Sequence, residues 1–160
     1  MNRGMSEHEI LADMSYDSPM LDRPYLKGRF GSPDYIVREV YRDESGWWDR
    51  NPTNLNPAAP AAAAAAVRAA ISDPEAVIRK AEELRDSGEV QLAMHIIDLL
   101  ALTDAEDDVS KRARTLKAQL CRLRAKQVKP YVSKILLETS AMLLERGTTS
   151  WTVVAKDLSK

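Results

Sequence analysis

Few residues of this chain have chemistry to offer, and their spacing is the first thing to weigh. Histidine supplies the neutral nitrogen of most hydrolytic metal sites, several ligands at a time. Only His8 and His95 are present, remote from each other, with no His-x-His or His-Glu-x-x-His spacing. His95 lies between Met94 and Ile96 in a leucine-rich run, which reads as a core or interface histidine. Cys121, the single cysteine, sits among helix-forming residues without a nearby histidine and reads as a small, partly buried hydrophobe. There is no Gly-x-Ser-x-Gly and no phosphate-binding glycine loop. No catalytic residue, metal ligand set or cofactor is therefore expected in this chain.

Two further groupings remain. Between positions 111 and 129 stand Lys111, Arg112, Arg114, Lys117, Arg122, Arg124, Lys126 and Lys129, with no acid among them. Such a stripe could contact phosphates, but no aromatics interleave it and an acidic cluster precedes it, so a solvated or partner-facing helix side is expected and nucleic acid is not. At 46–55 the sequence GWWDRNPTNL sets two of the three tryptophans beside Asp49, Arg50, Asn51, Pro52 and Asn54.

The frame that must position these residues is bounded by composition. A length of 160 residues suffices for one domain with a real core. The 23 Lys and Arg against 24 Asp and Glu leave a net charge of −1, so bulk charge steers the chain toward neither nucleic acid nor acidic membrane. One cysteine excludes an internal disulfide and suits a reducing compartment. His8, Glu7, Glu9 and Asp13 interrupt the apolar residues near the start, so no signal-peptide core is read there. The apolar run 58–67 is broken by Pro60 and shorter than the ~20 residues of a bilayer span. The cytoplasm is favoured, with a periplasmic or secreted location open if the chain is cut from a longer precursor.

Two zones meet near Pro57. Seven of the nine aromatics lie before it, and alanine, leucine and charged residues in helical periodicity follow. The expected organisation is an irregular aromatic and proline-rich arm over 1–57, a helical domain over 58–147, and a tail or linker stub over 148–160. In the arm, Ser6 and Glu9 form a capping-box pattern opening a short helix, and 17–27 is kept extended by Pro19 and Pro24. Ser32 and Pro33 start a second helix whose aromatic face carries Tyr35 or Ile36, Val40 and Tyr41, and Trp47 or Trp48. In the helical zone, Pro60 opens one helix and Asp73 with Pro74 the next, Gly88 ends that one, and Gly147 ends the last. The tail over 151–154 has β-favouring residues without an evident strand partner.

Val109, Ala113, Leu116, Leu120 and Leu123 recur at steps of four and three, a heptad seam that could face the intramolecular core or a dimer partner. Ala81, Leu84, Gly88, Ala93 and Leu100 have the spacing of one tetratricopeptide-like helix hairpin, without a second repeat. The fold expected is all-α: an antiparallel helical bundle containing that hairpin, preceded by the irregular arm.

Three stretches in order, RGMS-x-x-EI-L at 3–11, RPYLKGRFGSPDYIVREVYRDESGWWDRNPTNLNP at 23–57 and AEELRDSGEVQLAMHIIDLLALTD at 81–104, carry a resemblance. The chain resembles the dimerisation region of the alkyl and aryl sulfatases of the metallo-β-lactamase superfamily over roughly 3–147. In that family a two-zinc catalytic domain precedes the helical domain and a sterol-carrier-like domain follows it. The resemblance implies a homodimer of swapped-arm style, whose helical domain helps enclose the approach used by long alkyl sulfate esters. It also implies roles in the 46–55 segment: Trp47 and Trp48 pack the helix end, while Asp49, Asn51 and Asn54 tie down a loop stiffened by Pro52, together shaping a docking corner. The family usually has glycine where Arg50 stands and Tyr or Phe where Trp48 stands. Its closing Arg-Asn-x-Tyr-Leu-x-x-Ala appears here only as YVSKILLETSAMLLERG, and its zinc ligands have no counterpart.

The expectation is a non-catalytic association domain, a homodimer, with zinc only in an absent metallo-β-lactamase-fold domain or subunit. The alternative is a stand-alone helical adaptor that binds a protein partner.

Overall fold

The computed structural model describes residues 4–14, 19, 23–25 and 28–148. Among them are seven α-helices and one short 3-10 turn, and no strand. The chain divides into two compact units, one of residues 1–57 with 129–132, the other of 58–128 with 133–160. The tail from 149 onward and most of the stretch 17–27 lie outside the described residues.

In the first unit, α1 (Glu7–Asp13) opens on a complete capping box: Ser6 N–H donates to the Glu9 carboxylate (2.7 Å) and Glu9 N–H to Ser6 Oγ (3.3 Å). α2 (Pro33–Ser45) begins with Ser32 as cap and Pro33 in the first turn, where the missing N–H costs nothing. Gly46 ends α2 at φ +79°, donating to the Arg42 carbonyl at 2.9 Å. This stop falls before the tryptophans, so the expected aromatic face does not extend to Trp47 or Trp48; both lie in the loop beyond. Ile10 of α1 meets Val37, Val40 and Tyr41 of α2 around a shallow apolar groove. Neither helix buries a single residue, and Ile36 is 68% exposed. Within the same unit, Tyr131 and Val132 donate their backbone N–H groups to the carbonyls of Arg29 and Phe30, and the Phe30 and Tyr131 rings stack at 6.2 Å.

The second unit holds α3 (Pro60–Ala69), α4 (Pro74–Asp86), α5 (Val90–Ala101), α6 (Asp108–Gln127) and, from residue 133 onward, α7 (Tyr131–Glu145), whose first two residues belong to the first unit. α4 starts at Asp73, whose side chain accepts from Ala76 N–H (3.1 Å), and ends at Gly88, φ +88°, a left-handed position cheap only for glycine. The three-residue link makes α4 and α5 an antiparallel hairpin. Ala81 and Ala93 are wholly buried in it, and small side chains there let the helices approach closely. Ile78, Val90, Ile97 and Leu100 fill the layer against Ala113, Leu116 and Leu120 of α6. Fully burying an Ile or Leu is worth about 2–3 kcal/mol, so this shared core is what holds the unit together. A second, smaller cluster joins Ala118 and Cys121 of α6 to Ala141 and Leu144 of α7, with Met94 and Leu137 beside it.

Candidate functional site

The 46–55 loop is a self-contained polar knot. Asp49 Oδ1 accepts from Asn51 N–H (2.9 Å), its other oxygen takes the Asn54 amide, and Asn51 Oδ1 accepts from Thr53 N–H (3.2 Å) to cap the turn Pro52–Asn54. Trp48 Nε1 donates to the Asn51 carbonyl at 3.1 Å. The Asn51 N–H first, and the Asn54 amide second, hold the Asp49 carboxyl below the usual carboxylate range. Trp48 is tethered in this way and 40% exposed, whereas Trp47 is 71% exposed and packs little. Between Asp49 and Asn51, Arg50 has φ +69°, the one non-glycine residue at positive φ among the described residues. A side chain there costs about 1–2 kcal/mol, and glycine would pay nothing. Its guanidinium donates to the Gly4 carbonyl at 3.2 Å. A cavity of about 260 Å³ opens beside it, lined by Glu7, His8, Tyr41, Arg42, Trp47 and Trp48 among others.

The heptad seam lies in the core of the second unit. Ala113 and Leu120 are fully buried, Leu116 nearly so, and Val109 and Leu123 pack on the edge of the same cluster.

The basic run on α6 finds its partners across the bundle. Arg112 grips Glu75 of α4 with two bonds (2.7 and 2.9 Å), Lys117 pairs with Asp98 of α5, and Arg122 reaches Glu138 and Glu145 of α7 (3.0 and 2.7 Å). Arg114 is buried and donates to the carbonyls of Thr103 and Ala105 (3.2 and 3.0 Å) and to Glu106 (3.1 Å). Half of the eight cations are thus spent inside the chain. The acids belong to other helices, so a stretch without acids of its own looked free when read linearly.

Arg68, which the sequence reading passed over, is the polar centre of this unit. It donates to Ser110 Oγ (2.7 Å) and pairs with Asp107 (2.9 Å), while Asp107 caps α6 through Ser110 N–H (3.0 Å). Thr103 Oγ1 closes the network, bonding the Leu100 carbonyl and lying 3.3 Å from Ser110 Oγ. A lone arginine in an alanine tract was the available signal.

His8 lines the arm cavity, and His95 lies 3.4 Å from the Gln91 amide on an exposed part of α5. Neither fits a zinc centre: among the described residues no three His, Cys, Asp or Glu side chains gather as a metal would need. Burial pushes the Cys121 thiol above its usual range, the reverse of what a nucleophile requires. Among the described residues no helix is long and apolar enough to cross a membrane.

The fold and these sites define an all-helical domain whose polar chemistry ties helices and loops together. Its relatives identify it further. The family model for alkyl sulfatase dimerisation matches residues 6–147, and the chain belongs to that family. It is 30% identical to the (R)-specific secondary-alkylsulfatase of Pseudomonas sp. over 94% of its own length and 22% of the relative's. It is 27% identical to the alkyl/aryl-sulfatase BDS1 of Saccharomyces cerevisiae over 65% of the chain and 16% of that protein. The solved structure of the stereoselective inverting sec-alkylsulfatase Pisa1 from Pseudomonas sp. superposes with a TM-score of 0.78 at 29% identity, over 92% of this chain and 23% of that one. The chain spans less than a quarter of the length of the alkylsulfatases it matches.

Proposed function

We propose that this chain is the association domain through which an alkyl-sulfatase-like hydrolase forms a homodimer, and that sulfate ester hydrolysis belongs to a zinc-bearing, metallo-β-lactamase-fold domain or subunit outside it. The family match motivates the reading, and one observation carries it: helices α1 and α2 bury nothing, while Tyr25, Phe30 and Trp47 are each more than 70% exposed. An aromatic side chain buries 150–250 Å², so those three alone offer about 300–500 Å². Ile36, Val40, Trp48 and Leu55 add to this, approaching the ~800 Å² per partner of a stable interface. A second copy of the chain is the occupant that a dimerisation family calls for, with the 46–55 corner shaping the contact through Trp47, Trp48, Asp49, Asn51 and Asn54. The heptad seam is already covered inside the chain, so it is not the proposed contact.

Size-exclusion chromatography with light scattering tests this. A mass of twice 17.9 kDa is expected. A strict monomer at high concentration overturns the reading and favours the adaptor alternative.

A further inference from the structure

Helix α7 starts without a cap of its own. The first N–H groups of any helix lack partners inside it, and a side-chain oxygen just ahead of the helix usually takes one of them. Ahead of α7 stand Lys129 and Pro130, and neither side chain has an oxygen to offer. The acceptors come from the arm instead. Tyr131 N–H donates to the Arg29 carbonyl (2.6 Å) and Val132 N–H to the Phe30 carbonyl (3.0 Å), while the Phe30 and Tyr131 rings stack at 6.2 Å. The loop presenting these carbonyls is tight: a Cβ at Gly28 would stand 3.0 Å from the Gly31 carbonyl oxygen.

Little else holds this end of the helix. The residues that α7 buries, Ala141, Leu143 and Leu144, all come late in it, whereas Ile135 and Leu136 are 46% and 47% exposed. Leu137 is only partly covered, and the Arg122 bond to Glu138 lies at the surface. A helix of 15 residues is marginal without such support. The late residues are the ones that cover Ala118 and Cys121 of α6. So α7 begins in one compact unit and packs in the other.

We infer that residues 29–30 of the arm act as a detachable cap for α7, and that the helix relays the state of the arm to the cluster around Cys121. With the cap seated, α7 is helical from Tyr131 and Cys121 is covered. With the cap withdrawn, the first turns fray, and Ala141 and Leu144 hold α6 less firmly. Whatever draws the arm away therefore loosens a cluster that it never touches. The clasp lies within one chain, so the inference does not rest on the dimer.

The test reads two reporters in the full chain at neutral pH: amide hydrogen exchange along α7 by NMR, and the rate at which N-ethylmaleimide labels Cys121, the single cysteine. Gly28→Ala distorts the presenting loop, and Tyr131→Ala removes the ring stack while placing a better helix former in α7. Each should speed exchange at 133–138 and Cys121 labelling together by about fivefold, the size expected for a lost cap. Exchange at Ala93 and Ile97 in the α4–α5 hairpin should stay unchanged. Pro130→Asp gives α7 a side-chain acceptor of its own, and in that background Gly28→Ala should leave both reporters at the wild-type rate. The inference is overturned if either reporter ignores both substitutions, if the two accelerate no more than Ala93 and Ile97 do, or if Pro130→Asp fails to cancel the effect. Light scattering on the same samples reports the dimer, so loss of that contact is told apart from loss of the clasp.

Discussion

Asp107 carries two loads at once, and substitution separates them. It caps α6 through Ser110 N–H and pairs with Arg68 at 2.9 Å, the Arg68 side chain being mostly buried and the Asp107 side chain less so. Loss of a good cap costs about 1 kcal/mol, up to about 2. A partly exposed ion pair is worth about 0.5–1 kcal/mol after screening. Asp107→Ala should therefore cost about 1.5–3 kcal/mol, which for a cooperative unit of this size lowers the melting temperature by roughly 6–24 °C. Asp107→Asn keeps the cap, since asparagine caps as well as aspartate, and should cost only the ion-pair share. Urea unfolding followed by far-ultraviolet circular dichroism, with Arg68→Met as the second arm of a double-mutant cycle, should return a coupling of about 0.5–1 kcal/mol. The pH dependence has a definite sign. The Ser110 N–H and then Arg68 hold the Asp107 carboxyl below its usual range, so its contribution is complete above the unfolded-chain value and is lost as pH falls through the lower folded value. The gap between wild type and Asp107→Asn should be full near neutrality and close in acid. Equal costs for the Ala and Asn variants, or a coupling near zero, would refute the network as described.

Ile97, wholly buried between α4 and α6, should lose about 2–5 kcal/mol as Ile97→Ala by the same denaturation assay. Arg114→Met strips the Thr103 and Ala105 carbonyls of their buried donor and should cost about 1–3 kcal/mol, with faster hydrogen exchange at 103–107. Cys121, buried and with its thiol raised by desolvation, should react with a thiol reagent at neutral pH only as fast as the unit opens, and promptly in denaturant; rapid native labelling would contradict its place in the α6–α7 cluster.

Local rules were legible residue by residue. The capping box of Ser6 and Glu9, the Asp73 and Pro74 start, and the glycine stops at Gly88 and Gly147 involve neighbours within one turn, where backbone hydrogen bonding is decided by the residues themselves. The tryptophans were misplaced for an equally local reason: their spacing continues the α2 face, but Gly46 stops the helix first. The arginine at position 50 itself does not announce a left-handed backbone, because the turn imposing it is built by the Asp49 and Asn54 side chains closing on each other; the glycine that the family usually has there was the one hint.

By itself, the order of residues determined the helices, the inward-facing alanines and leucines, and the family. Those features rest on periodicity and on contacts along one element, which a linear string records. Tertiary structure alone decided where the charges go. The α6 cations meet acids on α4, α5 and α7, Arg68 meets Asp107 from another helix, and the first unit leaves its apolar face uncovered. Ion pairing and burial depend on distances in space between residues far apart in the chain, and those exist only once the helices have packed.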